Sequence, residues 1–178
     1  MAYTKRNMLE IANAQILFPN FAGREKTAMV NGRQKIVNEA GKRNFNVALD
    51  PEKSEIYWNG ERVENPDFGQ ELANLGFNVI VRPGKEEGDP VQYRLPVAIG
   101  YGSERSPELY LVANGKKVLL DEESVGNLDY ADIIRADVVI NNGRSYISNS
   151  GEEKVKAWCN EGYFTIAQSR FADQYDGE

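Results

Sequence analysis

Val91-Gln92-Tyr93-Arg94-Leu95-Pro96-Val97-Ala98-Ile99-Gly100-Tyr101 alternates without a break. Val91, Tyr93, Leu95, Val97, Ile99 and Tyr101 fall on one face; Gln92, Arg94, Pro96, Ala98 and Gly100 fall on the other. A period of two marks a strand with one buried face, as in an antiparallel sheet. Asn44-Phe45-Asn46-Val47-Ala48-Leu49-Asp50 repeats the pattern with Phe45, Val47 and Leu49 inside. Phe77-Asn78-Val79-Ile80-Val81-Arg82 does so with Phe77, Val79 and Val81. Further strands are expected at 15–21, 109–113, 117–120, 137–141, 154–158 and 163–167.

Between such stretches lie four Asn-Gly pairs, at 31–32, 59–60, 114–115 and 142–143. Both residues tolerate positive φ, so the pair suits a type I′ turn, whose twist matches a two-stranded ribbon. Helical signals are few. Residues 67–76 predict one helix, with Asp67 at its N-cap and Gly76 at its C-terminal stop. A second helical turn is expected at 123–128, and 130–135 is either a third turn or the start of a strand. The result is a mainly β fold: an antiparallel OB-like barrel with long β-hairpin excursions and one or two short helices. A β-sandwich is the alternative arrangement. Residues 1–170 form one domain in this reading, and 171–178 form an acidic tail. Residues 24–43 are too long for an ordinary connection. Their central Asn31-Gly32 predicts a projecting ribbon, 26–30 up and 33–37 back. Residues 83–90, rich in Gly and Glu, read as an exposed hairpin loop.

The 178 residues are 41% hydrophobic and 27% charged, enough apolar material for a packed core. There is no histidine, which excludes His-based triads and His–Zn chemistry. The single cysteine, Cys159, has no disulfide partner and no imidazole to activate it. No apolar run suggests a membrane span or a secretory leader, so the expected location is cytoplasmic. Charge is uneven. Residues 1–44 hold eight Lys/Arg against three Glu, and the other 134 residues hold 13 basic against 24 acidic groups. A basic segment in an acidic chain suits a nucleic-acid site at one place and an acidic tail at another.

Binding a single strand without reading its sequence needs cations along the phosphates and flat rings beneath the bases. Arg24, Lys26, Arg33, Lys35, Lys42 and Arg43 line or flank the ribbon. The polar faces of the proposed strands add Asn44, Asn46, Asn78, Arg82 and Arg94. Aromatic candidates are Phe21, Trp58, Tyr93, Tyr101 and Tyr146. Tyr93 and Tyr101 share parity with Leu95 and Val97, which leaves both core packing and base stacking open. Phe18 and Phe45 are assigned to the core, and Trp158 and Phe164 to packing. The acids Asp121-Glu122-Glu123, Asp129 with Asp132, and Asp137 could hold Mg²⁺, but Asp121-Glu122-Glu123 sits at an expected strand-to-helix junction and Asp129 also suits a cap. No Walker, Rossmann or nucleophile-elbow motif is present. The reading calls for no catalysis, no metal and no cofactor.

Several segments also resemble a known family. They are Ala14-Gln-Ile-Leu-Phe-Pro-Asn-Phe-Ala-Gly23, Arg43-Asn-Phe-Asn-Val-Ala-Leu-Asp50, Leu75-Gly-Phe-Asn-Val79 and Tyr93-Arg-Leu-Pro-Val97. The strongest is the run from Leu119 through Asp121-Glu-Glu-Ser-Val-Gly-Asn-Leu-Asp-Tyr-Ala-Asp-Ile133, followed by Ala136-Asp-Val-Val-Ile-Asn141. Val155-Lys-Ala-Trp158, Tyr163-Phe-Thr-Ile166 and Phe171-Ala-Asp-Gln-Tyr175 complete it. In this order they are similar to small single-stranded-DNA-binding proteins of tailed phages and prophages. The resemblance implies an OB-like barrel, no enzymatic activity, and coating of single strands in DNA replication or recombination within the host bacterial cytoplasm. The excursion at 24–43 and an insertion at 54–65 depart from the family pattern. In the tail, Phe171, Asp173, Tyr175, Asp176 and Glu178 are candidates for contacting phage or host replication proteins; self-association is a further expectation. Rival readings are a phage structural or assembly protein whose ribbon is an arm, a Mg²⁺-dependent nuclease, and an RNA-binding protein.

Overall fold

The computed structural model describes residues 8–64, 67–82, 91–101, 107–147 and 151–167, without the side chains of 142–144. The expected loop at 83–90 and the acidic tail lie outside the described residues. In chain order the strands are β1 (Met8–Asn20), β2 (Lys26–Val30), β3 (Arg33–Asn38), β4 (Arg43–Leu49), β5 (Glu55–Trp58) and β6 (Glu61–Arg62). Helix α1 (Phe68–Asn74) follows, then β7 (Ile80–Arg82), β8 (Gln92–Ile99), β9 (Glu108–Ala113) and β10 (Lys116–Leu120). A 3-10 helix (Val125–Tyr130) precedes β11 (Ile133–Ile147) and β12 (Glu153–Ile166).

Five strands close on themselves. β1 pairs with β4, β4 with β8, β11 with β1 and β12 with β11, all antiparallel. A parallel bridge between Trp158 and Ala98 joins β12 to β8 and closes the ring. This is the OB arrangement, a small Greek-key barrel, and not a sandwich. The closure between β8 and β12 rests on that one bridge, while β7 and β9 pair with other parts of these two strands. β1 serves two neighbourhoods because it bends twice. Asn13 and Phe18 take positive φ, 57° and 50°, at the two register shifts. Bulges of this kind turn a strand around a barrel corner.

Three of the four Asn-Gly pairs make tight turns, with Asn31, Asn59 and Asn114 at φ 52°, 51° and 53° and the following glycine positive too. The fourth does not. Asn142 pairs with Ala157 inside the long strand β11, and the ladder skips from there to Ser145. The pair marks a bulge because the flanking residues continue in the same direction. The separate strands expected at 154–158 and 163–167 are likewise one strand, β12. The helix is as expected: the Asp67 carboxylate accepts from the Gln70 N–H, and Gly76 ends the helix at φ 93°. The strand expected from Phe77 begins only at Ile80, because the Phe77 N–H closes the helix end on the Leu72 carbonyl.

The core lies inside the barrel. Phe45, Val47 and Leu49 of β4 face Tyr93, Leu95, Val97 and Ile99 of β8, all buried. At its centre Phe21 stacks on Phe45 at 5.1 Å, and Phe164 meets both rings edge-on at 5.3 and 5.8 Å. Two assignments from the sequence are thereby reversed. Phe21, a stacking candidate, is completely buried, whereas Phe18, assigned to the core, is 60% exposed. The bulge at Phe18 shifts the parity of everything after it, which explains the exchange. Asp129 fixes the chain just beyond that point: its carboxylate accepts the Phe21 and Ala22 N–H groups at 2.7 and 3.1 Å. Asp129→Ala leaves both donors without it and is expected to cost about 1–3 kcal/mol. A lower urea midpoint at unchanged slope would show it.

Cys159 is a core residue. Burial pushes its thiol up to about 12, and its Sγ donates to the Glu161 carbonyl at 3.5 Å. A thiolate-selective reagent at neutral pH is expected to label it only after unfolding, so labelling should follow the denaturation curve.

Candidate nucleic-acid interface

The outer wall of the barrel follows from the same alternation. With Phe45, Val47 and Leu49 inward, Asn44, Asn46 and Ala48 face out. The ladders extend this into cross-strand rows: Leu17, Asn46 and Pro96; Gln15, Ala48 and Arg94; Asn44, Ala98 and Trp158. Two aromatic rings stand on this wall, each beside a cation. The Arg94 guanidinium lies 5.2 Å from the Phe18 ring centroid, oriented by a 2.7 Å bond from its Nε to the Gln92 side-chain oxygen. On β12 the Lys156 ammonium lies 4.7 Å from the Trp158 ring, which is 36% exposed. Gly100 lets that indole approach the backbone: a Cβ there would sit 3.0 Å from its Cζ3. Phe18 is a bulky residue held at positive φ, a costly conformation that persists where the surrounding structure imposes it.

The ribbon β2–β3 projects between β1 and β4. Arg33 and Lys35 share one of its faces with Ala28 and Val30, and Lys26 stands at its base, all exposed. The opposite face carries Met29 and Ile36, 70% and 57% exposed. Asparagines hold the root. Buried Asn20 bonds both the N–H and the carbonyl of Arg24 at 2.9 Å, Asn38 donates to the Arg24 carbonyl at 2.7 Å, and Asn44 donates to Asn38 at 2.8 Å.

The sequence candidates therefore separate into groups. Asn46 and Arg94 sit on the wall. Lys26, Arg33 and Lys35 sit on the ribbon. Arg24 lies at the root, its guanidinium 4.9 Å from the exposed Tyr130 ring. Lys42 is exposed and pairs with Glu39 at 3.4 Å, a contact too solvated to hold it. Arg82 is exposed at the end of β7, opposite Gln92. Asn44 is engaged in the root. Arg43 is engaged too: only 16% of its side chain is exposed, it lies 3.6 Å from Glu122, and it covers the Tyr101 ring at 5.2 Å. It braces the turn before the 3-10 helix against the barrel. Tyr93, like Phe21, is buried, with its ring against Phe68, and offers no face to a base. Trp58 packs edge-on against Phe77 at 6.0 Å.

Phe18, Trp158 and Lys156 were not among the sequence candidates. Trp158 was detectable, since Lys154, Lys156 and Trp158 alternate against buried Ala157 and Cys159. Phe18 left no such signal, because an unforeseen bulge sets its direction. A second ring pair lies lower on β12, where Tyr110 and Tyr163 stack at 5.0 Å with Lys117 beside them. Their hydroxyls donate to Glu108 and Glu161, and the Glu161 bond is the first cause that pushes Tyr163 up to about 12. Two carboxylates at its rim make that pair a poor place for a phosphate backbone.

Two of the acids offered to a metal, Asp121 and Asp129, are engaged as acceptors of backbone N–H groups, and Glu122 lies against Arg43. Asp121 accepts from the N–H groups of Glu123 and Ser124 and from the Ser124 hydroxyl, which lowers its pKa. Asp129 holds Phe21 and Ala22, as above. Among the described residues no three His, Cys, Asp or Glu side chains cluster as a metal site. No described helix is long and apolar enough to cross a membrane.

Among known protein families, the model of one described as "Putative phage ssDNA-binding domain" matches residues 1–177. No curated protein matches the chain. Among solved structures, the chain is similar to the single-stranded DNA-binding protein from bacteriophage Enc34, with 8% identity, a TM-score of 0.49, and coverage of 99% of this chain and 97% of that one. It is also similar to gp2.5, a single-stranded DNA binding protein encoded by bacteriophage T7, at 10% identity, TM-score 0.47, and coverage of 98% and 97%.

Proposed function

We propose, from the premise that the chain belongs to this family of phage ssDNA-binding domains, that it binds single-stranded DNA without sequence preference across the wall formed by β1, β4, β8 and β12. The observation that carries the reading is the pair of exposed rings, Phe18 and Trp158, each with a cation at its face on one continuous surface. Every base has a π-face, so ring stacking tolerates any sequence, and the adjoining cations meet the phosphates. OB barrels use this wall and the loops beside it for oligonucleotides. The ribbon between β1 and β4 occupies one of those loop positions. There Lys26, Arg33 and Lys35 extend the cationic path, with Arg24 at its root.

The protein holds strands and does no chemistry on them. It would coat single strands during phage replication or recombination in the host cytoplasm. The acidic tail, with Phe171, Asp173, Tyr175, Asp176 and Glu178, is the segment offered to replication proteins. The exposed Met29 and Ile36 favour a second reading of the ribbon, as an arm for protein contact.

Fluorescence polarisation with a labelled ~30-nucleotide poly-dT and a matched duplex, across several salt concentrations, tests the reading. Single-strand binding that is tighter than duplex binding and falls steeply with salt is expected. Absence of binding at low salt would contradict it. Arg33→Glu with Lys35→Glu should make the salt slope shallower by about 0.7 for each phosphate that is no longer neutralised. An unchanged slope would assign the ribbon to protein contact.

A further inference from the structure

Beside the Phe18–Arg94 platform lies a cleft of about 240 Å³ between the first bulge of β1 and the turn at 50–54. We propose that it is a nucleobase pocket, taking one base of the bound strand as the strand leaves the platform. This inference rests on the single-stranded-DNA reading above.

Position is the first argument. Gln15, in the cleft, stands in the same cross-strand row as Ala48 and Arg94. Gln92 also lines the cleft and accepts the 2.7 Å bond that orients Arg94 over Phe18. A strand lying on Phe18 therefore passes the mouth of the cleft. Size is the second. The volume is below the ~300–1,000 Å³ of sites for drug-sized ligands, and suits a single ring system. Chemistry is the third. Val91 and Ile134 give apolar surface, Asn13 and Gln15 present amides at the edge, and Asp50 and Lys53 set one charge of each sign on the turn side, with no net charge between them. A neutral flat ring with a polar rim matches that lining better than a phosphate does.

The cleft is also pre-formed. The Asn13 N–H donates to Asp137 at 2.8 Å, and its side-chain amide donates to the Lys53 carbonyl at 3.2 Å. The buried Ser54 hydroxyl donates to the Asn13 carbonyl at 2.8 Å and accepts the Asp50 N–H at 3.1 Å. The bulge and the turn are thus pinned together before any ligand arrives, which lowers the ordering cost of binding.

The test combines backbone-amide NMR with polarisation, using poly-dT of about 4–16 nucleotides. The amides of Asn13, Gln15 and Lys53 are expected to shift together with those around Phe18 and Trp158. Gln15→Leu removes one of the two edge amides and Ile134→Ala trims one of the two apolar side chains. Each should weaken binding roughly five- to tenfold, in the range of one weakened base contact. Neither changes charge, so the salt slope should stay as in wild type. Both residues are exposed, so the barrel should fold in each variant. Shifts confined to Phe18 and Trp158, with wild-type affinity in both variants, would overturn the pocket and leave the parent reading standing. Failure of the wild-type protein to bind poly-dT at all would overturn both.

Discussion

Replacing Phe18 and Trp158 together by alanine is expected to weaken binding to poly-dT by on the order of 100-fold or more. Each base stacked on an aromatic ring contributes about 1–3 kcal/mol, and a factor of ten corresponds to about 1.4 kcal/mol. The salt dependence should be unchanged, because Arg94 and Lys156 remain to meet the phosphates. Phe18→Ala should hardly move stability, since that ring is 60% exposed, whereas Trp158→Ala should lower it, because most of the indole is covered and lies against Gly100. Phe18→Gly sharpens the test. Glycine adopts the positive φ of this bulge without strain, so that variant should be at least as heat-stable as wild type while binding less well. Tighter binding by Phe18→Gly, or wild-type binding by the double variant, would remove the rings from the DNA path.

The largest effect on folding is expected at Phe45. Its ring stacks on Phe21 and meets Phe164 edge-on, and all three are fully buried. Phe45→Ala leaves a cavity at the meeting point of β1, β4 and β12 and should cost about 3–5 kcal/mol. Domains of this kind are stable by only about 5–15 kcal/mol, so the loss is a large share of the total. The melting temperature should fall by roughly 6–20 °C. Phe45→Ala and Phe164→Ala should combine to less than the sum of their separate costs, because the rings share one contact. Strict additivity would mean that the three rings do not act as one unit.

Much of the barrel was legible because its signals are local. Alternation in 44–50 and 91–101 sorted the two faces of β4 and β8 correctly, and three Asn-Gly pairs marked real turns at 31–32, 59–60 and 114–115. The ribbon followed from one of them. The strand order did not follow from local pattern, since it depends on the pairing of β1 with β11 and of β8 with β12 across large sequence separations. The wall was read in outline through Asn46 and Arg94. Its aromatic content was misread where backbone irregularity overrides parity. A bulge at Phe18 turned that ring outward and brought Phe21 inward, and another absorbed Asn142-Gly143 into β11. Arg43 looked available by charge alone, yet Glu122 and Tyr101, which engage it, lie far away in the chain.

The central claim is that a single strand lies across Phe18 and Trp158. Ultraviolet crosslinking of the protein to a poly-dT oligonucleotide carrying 5-iodouracil, followed by peptide mass spectrometry, tests it most directly. The account predicts adducts at Phe18 and Trp158, which Phe18→Ala and Trp158→Ala each reduce at their own position. Adducts confined to the Tyr110–Tyr163 pair or to Tyr146, with none on the wall formed by β1, β4, β8 and β12, would contradict it.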